Sequence, residues 1–233
     1  MKENQIKERI NKIKKKIAKH AQKAGREPES IKIIAVSKNQ PVNKIESFHN
    51  HGFEVFGENR VQELREKYNR LDELDLNWHF IGHLQRNKVK YLLRMNNCVL
   101  IQSVDSLRLA REINKRAGKN DRVIPVLVQI NISGEDSKFG IKPEESIAFL
   151  KEVGQFDNIS IRGLMTLAPY FDNPEKTRPY FQEMHDIYCQ AKKKGFALKE
   201  LSMGMSNDFH IAVEEGATMI RIGRALMGPR QRR

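Results

Sequence analysis

The feature that most constrains the fold of this chain is an alternation of strand-like and helix-like segments, repeated about eight times. Short runs rich in β-branched and aromatic residues are each followed by a longer segment with helical periodicity. The predicted strands span residues 31–37, 54–57, 78–82, 98–104, 123–131, 159–166, 200–203 and 218–222. The predicted helices between them span residues 42–51, 58–74, 85–93, 106–117, 143–153, 174–194 and 207–215. This alternation is typical of parallel strands joined by right-handed crossovers.

Two architectures accommodate such a pattern, a closed barrel and an open doubly wound sheet. The 233 residues fit the lower end of the size range of a (β/α)₈ barrel. The dinucleotide-binding version of the open sheet needs a Gly-x-Gly-x-x-Gly turn after the first strand, and the sequence has none there. We therefore predict an α/β protein with a single (β/α)₈ TIM barrel, forming one domain over residues 1–233.

An extra helix is predicted before the first strand. Four isoleucines, at spacings of four, three and four residues, form one apolar stripe along it. They are Ile6, Ile10, Ile13 and Ile17. A stripe made only of isoleucine, without Trp or Phe, favours packing on a domain over lying on a membrane surface. We predict that this helix occupies residues 1–27, ends near Gly25 and packs on the barrel, and that residues 229–233 form a basic tail.

The composition narrows the classes of function. A formal net charge of +13 keeps nucleic acid open as a partner, but the basic residues are spread over many segments without a nucleic-acid-binding signature. Cys98 and Cys189 provide neither a disulfide framework nor a four-ligand metal site, and no histidine has metal-ligand spacing. The apolar runs are too short to span a membrane, and the N-terminus lacks a secretory pattern. We expect a cytoplasmic protein that binds no metal and does not associate with a membrane.

Lys38 follows the first predicted strand, and the active site of a barrel lies at the C-terminal ends of its strands. Apolar surroundings at a strand end lower the pKa of a lysine, which leaves a share of free amine that a carbonyl compound can trap as a Schiff base. An ordinary surface lysine is the competing interpretation, because the chain has 42 Lys and Arg residues. The other strand ends decide between the two.

Two neighbouring strand ends late in the chain predict an anion site. Ser206 follows strand seven, where we expect it to cap the next helix, and Gly223 ends strand eight, where the backbone can approach an anion closely. Barrels frequently bind phosphate between these two loops. Arg221 precedes Gly223 by two residues and shares its face of the strand. Its expected partner is either a ring nitrogen of a ligand or an interior carboxylate such as Glu58.

Short motifs follow one another in a fixed order from about residue 31 to residue 228. They are AVSK at 35–38, FGENRVQE at 56–63, WHFIGHLQ at 78–85, QIN at 129–131, RGLM at 162–165, SMGMS at 202–206 and RIG at 221–223. With these motifs the chain resembles the pyridoxal phosphate homeostasis protein family, which is related to the barrel domain of alanine racemase. Their number and order make the resemblance specific.

The resemblance implies pyridoxal 5′-phosphate as the cofactor. It implies that Lys38 carries the internal aldimine, that Ser206 and Gly223 with its neighbour contact the phosphate, and that Arg221 faces the pyridine nitrogen. It also implies that three further residues line the site. They are Asn59, His83 and Met203. A small hydroxyl residue commonly follows the last glycine in this family, and here Arg224 stands there, which replaces a hydroxyl contact by a charge-assisted one.

The resemblance further implies holding of the cofactor rather than turnover. A protonated Arg221 keeps the pyridine nitrogen unprotonated and weakens the cofactor as an electron sink. Racemases need a second acid/base, which related enzymes take from an additional domain, whereas this chain ends soon after strand eight. We expect a monomer that binds pyridoxal 5′-phosphate, takes part in its intracellular homeostasis and serves pyridoxal-phosphate-dependent client enzymes. A pyridoxal-phosphate-dependent amino-acid racemase is the alternative, and the sequence leaves open whether any turnover occurs.

Overall fold

Eight parallel strands close into a barrel in the order β1 to β8, with β8 paired to β1, in a computed structural model that describes residues 3–135 and 138–229. The strands are β1 (Lys32–Val36), β2 (Val55–Glu58), β3 (Asn77–Phe80), β4 (Cys98–Val104), β5 (Ile124–Ile130), β6 (Ile159–Thr166), β7 (Glu200–Ser202) and β8 (Met219–Ile222). The predicted (β/α)₈ barrel is confirmed. Of the predicted basic tail, residues 230–233 lie outside the described residues.

Helices connect the strands and cover the outside of the barrel. They are α1 (Glu3–Lys23), α2 (Val42–His49), α3 (Val61–Arg70), α4 (Val89–Leu92), α5 (Leu107–Gly118), α6 (Ser146–Val153), α7 (Arg178–Lys193), α8 (Phe209–Glu214) and α9 (Arg224–Met227). Strands such as β5 are buried along nearly their whole length, because helices cover one face and the barrel interior takes the other. A separate apolar cluster contributed by five strands fills that interior. It consists of Ile34, Leu100, Leu127, Met165 and Met219.

The extra N-terminal helix α1 packs on α8 and α9. Its four predicted isoleucines are all buried, together with Ala21, and a buried isoleucine stabilises a fold by about 1.5–3 kcal/mol. The helix ends at Lys23, near Gly25 as the sequence predicts, and Gly25 has the left-handed conformation at φ 65°. The Arg26 guanidinium then donates to the carbonyl oxygens of Val213 and Ala217, both at 2.8 Å. These contacts fix α1 beside the loops that follow β7 and β8.

The structure departs from the predicted helices most clearly at three places. The helix predicted from residue 58 begins at Val61, because Glu58 belongs to β2, where its carbonyl accepts from the Ile81 N–H at 2.8 Å. The helix predicted over 85–93 is a 3₁₀ turn at Arg86–Lys88 followed by a single α-helical turn, α4. The short helix α9 after β8 was not predicted, because four residues give too little periodicity to detect.

No helix within residues 3–135 and 138–229 is long and apolar enough to cross a bilayer. In the same part of the chain, no group of three or more His, Cys, Asp and Glu side chains is arranged to hold a metal ion.

Candidate functional site

A cleft of about 450 Å³ opens at the C-terminal ends of the strands, and we call it the strand-end cleft. Seven of the eight residues predicted for the site line it. They are Lys38, Asn59, His83, Ser206, Arg221, Gly223 and Arg224. The eighth, Met203, is fully buried in the main hydrophobic core, and Met205 lines the cleft instead. The chain therefore brings a primary amine, a hydroxyl and two guanidinium groups to one opening.

The chain on both sides of Lys38 is held by a buried ionic cluster. The Lys67 ammonium donates to the Ser37 carbonyl at 2.7 Å, to Glu58 Oε1 at 2.6 Å and to Glu63 Oε1 at 2.8 Å. The Ser37 hydroxyl also donates to Glu58 Oε1, at 2.6 Å. On the other side of Lys38, the Asn39 N–H donates to Glu63 Oε1 at 2.6 Å. We call these contacts of Lys67, Glu58 and Glu63 the Lys67 cluster. It fixes the backbone from which Lys38 projects.

The electrostatics of the Lys67 cluster are dominated by burial. Burial raises the pKa of Glu58, and the charge of Lys67 opposes that rise. Glu58 thus has its cationic partner in α3, so Glu58 is not the interior carboxylate that pairs with Arg221. Because the Lys67 ammonium bonds to both carboxylates and to the Ser37 carbonyl, it stabilises the backbone beside Lys38.

Ser206 joins the loops that follow β7 and β8. Its hydroxyl oxygen accepts from the Gly223 N–H at 3.2 Å and from the Ala225 N–H at 3.3 Å. We call this group the hydroxyl–amide cluster. Ser206 does not cap α8 as the sequence suggested, since α8 begins at Phe209 after a turn in which the Met205 N–H donates to Asp208 Oδ1 at 2.6 Å. Two backbone N–H groups therefore converge on one hydroxyl, which can donate its own hydrogen to an anion such as a phosphate oxygen.

Two glycines near the hydroxyl–amide cluster, Gly204 and Gly223, differ in how much space surrounds them. Gly204 has φ 89°, and a Cβ there would lie 2.6 Å from the Ala212 Cβ, so the fold itself requires glycine. A Cβ on Gly223 would lie no closer than 3.6 Å to its neighbour Val36. Packing therefore leaves room at Gly223, and that room belongs to the strand-end cleft, which both Gly223 and Val36 line.

Arg221 is buried inside the upper barrel and reaches the floor of the cleft. Its guanidinium donates to Ser202 Oγ at 2.5 Å and to the Thr166 carbonyl at 2.6 Å. Burial lowers the pKa of Arg221 to about 10, against the opposing charge of Asp208, so the group stays cationic at neutral pH. A cationic guanidinium only donates hydrogen bonds, so a ligand atom that meets it must be an acceptor.

The hydrogen bonds from Arg221 continue across the barrel. The Ser202 hydroxyl donates to Gln102 Oε1 at 2.7 Å, and Gln102 Nε2 lies 2.8 Å from His79 Nδ1. An amide nitrogen can only donate, so His79 Nδ1 accepts and the imidazole is neutral. Burial, with a smaller contribution from the charge of Lys32, lowers the pKa of His79 to about 3. The hydrogen bonds among Ser202, Gln102 and His79 fix the guanidinium of Arg221 from inside the barrel.

The neutral His79 predicts a pH dependence of stability. The imidazole has a pKa of 6.5 when unfolded and about 3 when folded, so between these values the unfolded chain binds the extra proton. Stability therefore falls as the pH falls through this window, by about 2 kcal/mol between pH 7 and pH 5 from this group. Urea unfolding at both pH values should show that His79→Gln, which keeps an acceptor for Gln102, loses less stability on acidification. An equal loss in both proteins would contradict the assignment.

The loops after β2 and β3 carry two more of the predicted residues, Asn59 and His83. His83 Nδ1 lies 2.9 Å from Asp105 Oδ2, and its ring stacks on Phe139 with centroids 3.6 Å apart. Asn59 is backed by Gly82, where a Cβ would lie only 2.2 Å from the Asn59 carbonyl oxygen. Gly82 thus allows the two loops to touch, which sets one wall of the cleft.

An apolar rim around the strand-end cleft was missed by the sequence reasoning. Its members share high exposure and a position on loops, which is unusual for large apolar side chains. They are Phe139, Leu167, Tyr170 and Met205. Tyr170 is 71% exposed and Phe139 is 53% exposed, so the rim remains available to a ligand or a partner. Aromatic residues in polar loops were the available signal, but the loop conformations that gather them were not predictable.

Comparison with known proteins identifies the family and the fold of this chain. Residues 6–231 match the family model described as alanine racemase, N-terminal domain. The chain is 46% identical over 225 residues to the pyridoxal phosphate homeostasis protein of Aquifex aeolicus, covering 96% of this chain and 98% of that protein. It is 39% identical to the human pyridoxal phosphate homeostasis protein, covering 85% of this chain and 76% of that one.

Solved structures resemble the whole barrel. The structure of PipY from Synechococcus elongatus PCC7942 with PLP bound superimposes with a TM-score of 0.79 at 36% identity, covering 91% of this chain and 100% of that chain. An alanine racemase of Clostridium difficile 630 superimposes with a TM-score of 0.72 at 19% identity, covering 95% of this chain but 55% of that chain. The second likeness concerns the fold alone.

Proposed function

This chain belongs to the pyridoxal phosphate homeostasis protein family, and on that premise we propose that it binds pyridoxal 5′-phosphate in the strand-end cleft and takes part in its homeostasis. The observation that carries the proposal is the convergence of Lys38 with the hydroxyl–amide cluster in one cleft. The PLP-bound structure of PipY, a homologue of the same fold, supports it. A cytoplasmic location and client enzymes belong to this proposal as sequence-based predictions.

The chemistry of the cleft fits the chemical groups of this cofactor. Pyridoxal 5′-phosphate supplies an aldehyde, which condenses with a primary amine, and Lys38 is the amine that we assign to it. Ser206, the Gly223 and Ala225 N–H groups and the Arg224 cation suit the phosphate. Protein packing does not require a glycine at position 223, and the space beside it is open to the cleft. Asn59 and His83 complete the proposed lining, and Met203 supports the loop from within the core.

The residues of the cleft favour holding the cofactor over a racemase reaction. Arg221 stays cationic at neutral pH and donates all of its hydrogen bonds, so a ring nitrogen opposite it acts as an acceptor and stays unprotonated. An unprotonated ring draws electrons less strongly from a bound amino acid. We therefore assign Arg221 the role of orienting the ring and damping carbanion chemistry.

The proposal is tested by reconstitution. Purified protein incubated with pyridoxal 5′-phosphate and passed through a desalting column should retain a visible absorption band. Borohydride reduction followed by peptide mapping should find the added mass on the peptide that contains Lys38. A colourless protein, or a mass addition spread over surface lysines, would overturn the assignment. Incubation with L- and D-alanine and chiral analysis tests the racemase alternative, for which we expect no conversion above that of free cofactor.

A further inference from the structure

A second cleft lies behind the hydroxyl–amide cluster, between α1 and the loops after β7 and β8. It has a volume of about 510 Å³, within the range of small-molecule sites. Helix α1 contributes Arg9, Lys12 and Lys16 to its lining, and the opposite wall includes Ser206 and Ala225. We call it the α1 cleft. Because Ser206 also lines the strand-end cleft, one serine and the first turn of α9 separate the two openings.

The three cations share one face of α1, at spacings of three and four residues. Within residues 3–135 and 138–229, no carboxylate lies within ion-pair distance of Lys12 or Lys16. Burial lowers the pKa of Lys16, and the nearby charge of Lys12 lowers it further. The Lys16 ammonium lies 5.3 Å from the centre of the Phe209 ring, which faces the same cleft. Glu8 also lines the α1 cleft, but it makes no ion pair with Lys12 or Lys16, so three cations and one carboxylate leave the lining with an excess of positive charge.

The wall between the clefts links this basic face to the hydroxyl–amide cluster. Arg9 Nη1 lies 3.4 Å from the carbonyl oxygens of both Arg224 and Ala225. The N–H of the same Ala225 donates to the Ser206 hydroxyl. An anion in the α1 cleft would therefore lower the positive electrostatic potential at the groups that we assign to the cofactor phosphate.

We propose that the α1 cleft is a second anion-binding site for a small phosphate-bearing molecule, and that an anion bound there weakens the binding of pyridoxal 5′-phosphate in the strand-end cleft. The weakening of cofactor binding rests on the function proposed above, whereas the second anion-binding site does not. Two phosphate groups on either side of one serine repel each other, so the coupling is unfavourable. By linkage, the cofactor weakens anion binding by the same factor.

Matched lysine variants test the site. Lys12→Gln with Lys16→Gln forms the cleft pair, and Lys14→Gln with Lys15→Gln forms the control pair. The control pair removes the same charge from exposed positions on the same helix. Inorganic pyrophosphate and glycerol phosphate are titrated calorimetrically into cofactor-free protein at constant ionic strength, which separates free phosphate from phosphate esters. The single variant Lys12→Gln, at an exposed position, provides a measurement if the cleft pair folds poorly.

We expect wild type and the control pair to bind pyrophosphate alike, and the cleft pair to bind it about tenfold or more weakly, which corresponds to a loss of about 1.4 kcal/mol. Equal weakening in both pairs would indicate only a diffuse basic helix and would overturn the site. Absence of binding to wild type would overturn it as well. This part of the test is independent of whether the protein binds pyridoxal 5′-phosphate.

The coupling is tested on the cofactor-loaded protein. Pyrophosphate should raise the apparent Kd for pyridoxal 5′-phosphate by about fivefold or more in wild type and the control pair, but not in the cleft pair. An equal rise in the cleft pair would mean direct competition in the strand-end cleft and would overturn the coupling. No rise in wild type would overturn it too. A wild-type protein that never binds the cofactor would instead refute the proposed function and leave the cofactor-free titration as the test of the site.

Discussion

Lys67→Met is expected to lower the free energy of unfolding by about 3–5 kcal/mol, the usual cost of removing one partner from a buried ion pair. The change takes the shared donor away from Glu58 and Glu63 and leaves the Ser37 carbonyl without its 2.7 Å hydrogen bond. Burial already raises the pKa of Glu58, so the carboxyl is expected to take up a proton once its cation is lost. Urea unfolding at neutral pH, monitored by circular dichroism, measures the loss.

Two further variants isolate the cause of that loss. Arg70→Met removes a cation from an exposed position in the last turn of the same helix, and should change stability by no more than about 0.5 kcal/mol. Glu58→Gln combined with Lys67→Met removes one of the two carboxylates that lose the Lys67 ammonium, keeps an acceptor for the Ser37 hydroxyl, and should recover part of the stability. If Lys67→Met and Arg70→Met had the same midpoint, the Lys67 cluster would not stabilise the barrel.

The sequence predicted the parts of the fold that depend on local periodicity. The isoleucine stripe of α1 and the strand–helix alternation could be recognised because burial repeats at fixed spacings along each element. The position of Lys38 followed from one further rule, since the C-terminal ends of parallel strands in a barrel meet at one rim. Arg221 and Gly223 followed from their neighbouring strand end in the same way.

The sequence failed where side-chain positions depend on contacts between distant segments. Ser206 was assigned to the wrong partner, because its hydroxyl meets the N–H groups of Gly223 and Ala225 rather than those of the next helix. Lys67 reads as one of many helical lysines until barrel closure buries it against Glu58. The apolar rim depends on loop contacts such as Gln129 Nε2 with the Phe139 carbonyl at 2.8 Å, which no local pattern encodes.

Lys38→Ala is expected to abolish the borohydride-trapped cofactor, because the amine assigned to the aldehyde is removed. Ser206 and the N–H groups of Gly223 and Ala225 stay in place, so the variant should still bind pyridoxal 5′-phosphate reversibly and lose it on desalting. Lys32→Ala is the matched control, since this lysine lies at the opposite end of the same strand, exposed and paired with Glu200. Visible spectra and intact masses after reduction measure both variants. Undiminished trapping in Lys38→Ala would show that another amine holds the cofactor.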